Sequence, residues 1–146
     1  MIPRGGSAKP AASRLRAFAA VAAMLSLAGC SRPQSPPTEF PGGIAVPPEA
    51  TDLHDRLDDQ FRTMSAYYRF ELPSRRLPAL TVALRCNLGE IETAPRAAET
   101  GDPAWFAPVP NRPHRRCESQ LAGWFYQLDV DVSRPDRYTV YLLAFN

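Results

Sequence analysis

Glu49-Ala50-Thr51-Asp52-Leu53-His54-Asp55-Arg56-Leu57-Asp58-Asp59-Gln60-Phe61-Arg62-Thr63-Met64-Ser65-Ala66-Tyr67-Tyr68-Arg69-Phe70 is the stretch on which the fold turns. Leu53, Leu57, Phe61, Met64 and Tyr68 recur at spacings of 4, 4, 3 and 4, one face of a 3.6-residue period. Asp52–Arg56 and Asp58–Arg62 stand at the favourable i,i+4 spacing for oppositely charged side chains. Pro47-Pro48-Glu49 and Thr51 offer start signals, and Pro73 forbids continuation. The spacing therefore predicts an amphipathic helix over 49–70. Its aspartates lack the alternation and the glycine of a calcium loop, so they read as a solvated face and no metal site is expected.

Beyond Pro73 the period changes to two. Leu80, Val82, Leu84 and Cys86 alternate with Thr81, Ala83 and Arg85, the pattern of a half-buried strand, and Leu88–Thr93 extends it past a turn at Gly89. Residues 94–116 are loop-like and rich in proline. From Gln120 to Val132 apolar residues alternate again, with Ala122, Trp124, Tyr126, Leu128, Val130 and Val132 on one side. Ser133-Arg134-Pro135-Asp136 is a turn, and Arg137–Phe145 a last strand rich in β-formers. The expected fold class is α+β: one N-terminal helix packed on a small antiparallel sheet of three or four strands, with a C-terminal β-hairpin.

Working back from residue 49, six prolines in 31–50 and Gly42-Gly43 read as a Pro-rich tether, about 60 Å long if fully extended. Further back, Arg4, Lys9, Arg14 and Arg16 precede the apolar, uncharged run 17–29. That run is about 20 Å of helix, short of a bilayer core of about 30 Å, and fits a secretory signal better than a membrane span. Leu27-Ala28-Gly29-Cys30 resembles the lipobox of bacterial lipoproteins. The resemblance covers residues 1–31 and names a processing class, not a domain family. It implies removal of 1–29 and acylation of Cys30, giving a lipidated residue and tether over 30–48 and a globular domain over 49–146. The acyl chains make the membrane the first expected partner. Ser31, where an aspartate would signal inner-membrane retention, favours the outer membrane facing the periplasm.

Without 1–29 the chain keeps 13 of its 17 basic residues against all 15 acids, a net charge of about −2. That offers no electrostatic footprint for nucleic acid. With Cys30 lipidated, Cys86 and Cys117 remain, and a pair in an exported domain reads as a disulfide. The loop Gly101–Arg116 carries Trp105-Phe106 and then Arg112, His114, Arg115 and Arg116. Aromatics beside arginines are hot-spot residue types. The loop reads either as a recognition surface or as a core plug flanked by solvated arginines. No Gly-x-Ser-x-Gly, His-Glu-x-x-His or P-loop motif is present, so neither catalysis nor a cofactor is expected. The expected role is a non-enzymatic envelope lipoprotein that binds another envelope protein. A module for a wall or lipid ligand is the alternative, and a small hydrolase the third.

Overall fold

The computed structural model describes residues 35–94, 96, 97 and 99–146. The lipobox and Cys30 lie outside them. Within the described residues the architecture is mostly β, which overturns the expected helix on a three- or four-stranded sheet. A two-stranded ribbon, β1 (Glu39–Phe40) and β2 (Ile44–Ala45), precedes a five-stranded antiparallel sheet. The sheet comprises β3 (Thr51–Gln60), β4 (Thr63–Pro73), β5 (His114–Leu121), β6 (Trp124–Asp131) and β7 (Arg137–Phe145), in the order β3-β4-β7-β6-β5. The one α-helix among the described residues is α1 (Leu77–Ala83).

The stretch 49–70 thus forms a hairpin, not a helix. Its second half settles the matter. Ala66, Tyr68, Phe70 and Leu72 are buried, while Tyr67, Arg69 and Glu71 between them are only partly so. This is a period of two among aromatic residues that favour pleated surfaces. β4 lies between β3 and β7 with continuous register from Ser65↔Phe145 to Pro73↔Arg137. The stripe that mimicked a helix runs across the turn. Its members Leu57 and Phe61, expected in the core, are 59% and 99% exposed.

A second correction mirrors the first, because the alternating stretch 80–86 opens inside a helix. Pro78 sits in the first turn of α1, where proline lacks only an N–H that would go unbonded anyway. Leu77, Leu80 and Leu84 are buried at i, i+3 and i+7, and Val82 points outward. The expected C-terminal hairpin forms, β6 pairing with β7 from Phe125↔Phe145 to Asp131↔Thr139. β5 begins within the expected loop and joins β6 through Ala122-Gly123, a turn that breaks the single strand expected over Gln120–Val132. Both turn residues have positive φ, at 52° and 82°, as a two-residue hairpin of matching twist requires.

The sheet is covered on both faces. On the first, β4, β6 and β7 pack against Leu77, Leu80 and Leu84 and against Phe40 and Ile44 of the ribbon. Phe40 meets Tyr68 edge-on at 4.8 Å and stacks on Phe70 at 5.8 Å. The Tyr126 hydroxyl donates to the Pro41 carbonyl at 2.6 Å, and Gly42 leaves no room for a Cβ beside that hydroxyl. The folded part therefore begins before residue 49, and 39–46 are body rather than tether. On the second face a single 3-10 turn, Ala104–Phe106, sets Phe106 against Tyr67 and Tyr141.

The two edges of the sheet differ. Along β5, residues 89–92 run as a partial sixth strand. Gly89 N–H donates to Arg116 O at 2.8 Å, and Glu92 and His114 exchange main-chain bonds of 2.8 and 2.7 Å. The Cys86–Cys117 disulfide pins the same edge, with Cα atoms 5.8 Å apart. Closing that loop stabilises the fold by about 3–4 kcal/mol in the chain-entropy view. Along β3 no strand is paired outside among the described residues.

Candidate functional site

The residues of the candidate recognition loop are divided between the 3-10 turn Ala104–Phe106, the segment that follows it and β5. His114, Arg115 and Arg116 belong to β5. Arg112, Arg115 and Arg116 are each held by a distant segment. Arg112 reaches Asp131 at 3.1 Å, and Arg115 donates to the Gly89 and Leu88 carbonyls at 2.9 and 3.2 Å. Arg116 is ion-paired with Glu92. Phe106 is fully buried as a plug, and Trp105 packs beside it and against His54, 5.7 Å between ring centres. Phe106 packs as a plug would, while Arg112, Arg115 and Arg116 are bonded to other segments and are not simply solvated.

His114 is fully buried, and both ring nitrogens face acceptors: Nδ1 lies 2.5 Å from Asp129 Oδ1, and Nε2 lies 3.0 Å from Val109 O. A neutral imidazole donates from one nitrogen only, whereas a ring protonated on both nitrogens donates to both acceptors. Asp129 Oδ2 also accepts the Arg96 main-chain N–H at 2.8 Å. The Arg96 guanidinium donates to Asp102 at 2.7 Å and lies over the Phe106 ring, 5.6 Å from its centre. These bonds tie the segment 96–109 to the second face of the sheet.

Asp102 is poised by the same network. Desolvation would raise its pKa, but the Arg96 bond, the Glu99 main-chain N–H and the Arg96 charge outweigh it and hold the carboxyl below its ordinary value. A carboxyl lowered by folding contributes stability above its unfolded pKa of about 3.9, and that contribution is lost as pH falls through the folded value. Acidification below about pH 4 should therefore release the turn around Trp105 before the sheet melts. The Trp105 indole resonance should shift in that window for the wild type and not for Asp102→Asn. An unchanged titration in the variant would show the network to be inert.

Between this segment and the sheet lies a cleft of about 440 Å³. Phe106, Pro108 and Tyr141 supply its apolar wall, and Glu92, Arg96, Arg116, Glu118 and Asp129 its polar one. Most of these groups already have partners, within the wall or behind it: Glu92 pairs with Arg116, Asp129 is hydrogen-bonded to His114, and Arg96 pairs with Asp102. No group of three metal-ligating side chains gathers among the described residues.

The most exposed large apolar side chain among the described residues is instead at the β3–β4 hairpin. Phe61 at its turn is 99% exposed, and Leu57 on β3 is 59% exposed. Asp52 is held by Arg69 at 2.7 Å and by His54, bonds that lower its pKa, and Asp58 is held by Arg56 at 2.6 Å. Asp55 and Asp59 are exposed and make no hydrogen bond or ion pair with another described residue. Sequence reasoning missed this surface because the helix reading placed Leu57 and Phe61 inside. The available signal was the aromatic alternation of Tyr68 and Phe70, which assigns 63–72 to a strand and leaves Phe61 at a turn.

No family model, curated protein or solved structure matches this chain.

Proposed function

We propose that the chain is a lipid-anchored envelope protein whose β domain docks another envelope protein through the β3–β4 hairpin. The observation that carries the docking is Phe61. An aromatic side chain left 99% in water at a hairpin tip contributes nothing to its own core, and large aromatics are the residues that dominate binding energy once a partner covers them. The anchor rests on Leu27-Ala28-Gly29-Cys30. The disulfide suits an oxidising compartment.

The test is in intact cells. A photo-crosslinking amino acid at position 61 should capture one envelope protein reproducibly, and the same group at Val82, exposed on α1, should not. Cys30→Ser should leave a precursor or release the chain to the soluble fraction. Equal labelling from 61 and 82, or an unchanged membrane fraction for Cys30→Ser, would count against the two halves of the proposal separately. The second reading, a module for a wall or lipid ligand, rests on the cleft between Phe106, Tyr141 and Glu118. Saturable binding of purified peptidoglycan or lipid that is lost in Glu118→Gln would favour it.

A further inference from the structure

We infer that the outer edge of β3 takes up an extended, arginine- or lysine-bearing segment of the docked protein as an added strand of the sheet, with Phe61 seated at its end. This rests on the docking reading above and names how the partner is held. Three observations meet on one edge. β3 is ten residues long, and no strand pairs with its outer side among the described residues, whereas the opposite edge is covered by 89–92 and pinned by the disulfide. Its pairing with β4 is regular from His54↔Arg69 to Gln60↔Thr63, so its free N–H and C=O groups form an uninterrupted row. Asp55, Leu57 and Asp59 alternate onto one face, an apolar side chain between two carboxylates that have no hydrogen-bond or ion-pair partner among the described residues.

The charges choose the occupant. A residue directly opposite on an added strand lies about 4.5–5.5 Å away, where an opposite charge stabilises and a like charge destabilises. Basic side chains flanking an apolar one complement Asp55, Leu57 and Asp59. A second copy does not match this face: two β3 edges paired antiparallel about Leu57 would set Asp55 against Asp59, and the Arg56 and Asp58 that this register brings together on the other face are already paired within each chain. Nor does the chain's own leader fit. Pro33, Pro36 and Pro37 lack the N–H groups that a ladder needs. Charged side chains also serve to blunt exposed edges, but blunting does not call for an exposed leucine and phenylalanine beside them. Strand addition uses all of these features.

The experiment uses the full chain in its producing cell. Photo-crosslinkers at Leu57 and Gln60, which face opposite sides of the sheet, are compared with Phe61 and with Val82. Expected is capture from 57 and 60 within one short stretch of one protein, the linked peptide carrying arginine or lysine, and none from 82. Asp55→Asn with Asp59→Asn should lower the yield from 57 and 60 by about 3- to 10-fold, the size of two cross-strand charge pairs. Circular dichroism of the Asn variant should be unchanged, since both positions are exposed. Capture from 61 alone would overturn strand addition and leave hairpin docking standing. Crosslinks to a second copy of the chain, a linked peptide without basic residues, or an Asn variant of undiminished yield would each overturn the inference. Silence at 57, 60 and 61 together would remove both it and the docking reading.

Discussion

Phe40→Ala should lower the stability of the chain from Gln34 onward by about 3–5 kcal/mol, the cost of truncating a well-packed aromatic. Phe61→Ala, in the same fragment, should change it by less than about 0.5 kcal/mol. Phe40 lies in a segment of prolines and glycines but is 2% exposed, with its ring on Tyr68 and Phe70. Removing it opens a void above the central strands, and the rigid ribbon held by Tyr126 and Pro41 cannot collapse to fill it. Small domains are stable by about 5–15 kcal/mol in all, so the loss is a large share. Urea titration followed by tryptophan fluorescence reads both variants. A stable Phe40→Ala, or an unstable Phe61→Ala, would restore a domain that starts at residue 49 with a buried helix.

Asp129→Ala should be nearly as damaging, by about 3–5 kcal/mol, because it leaves His114 buried with Nδ1 facing nothing and frees the Arg96 main-chain N–H. The double variant Asp129→Leu with His114→Leu should recover part of that loss, since it removes the buried imidazole that the single variant leaves unmet; the Arg96 main-chain N–H still lacks its acceptor, so the recovery is incomplete. Thermal or urea midpoints of the single and double variants test this. If the two single losses simply add in the double variant, the pair is not coupled and each residue acts through its own packing.

What could be read from the sequence was the C-terminal hairpin and the cysteine pair. Trp124 to Val130 alternates with one apolar side, Arg137 to Phe145 is rich in β-formers, and Cys86 and Cys117 are left as a pair once Cys30 is set aside. The N-terminal half misled for a definite reason. Leu53, Leu57 and Phe61 supply a helical stripe by accident of a turn at Phe61-Arg62, and burial in the centre of the sheet, a long-range fact, overrode it for Ala66 to Leu72. The ribbon was hidden by composition. Pro41-Gly42-Gly43 looks like linker, yet it is the turn that brings Phe40 and Ile44 together. The fate of the arginines was not local information at all. Glu92, Asp131 and the carbonyls of Leu88 and Gly89, which hold them, approach only once 88–92 lies along β5.

The ribbon also limits how far along the chain the folded body can stand from residue 30. With Glu39 and Phe40 already part of the folded body, nine residue steps separate them from Cys30, at most about 30 Å of chain. That is half the leash implied by a tether running to residue 48. A domain acylated at Cys30 would ride within about one molecular diameter of the lipid headgroups, too close to search the depth of the periplasm. Whatever meets the hairpin would have to come to the membrane surface to be met.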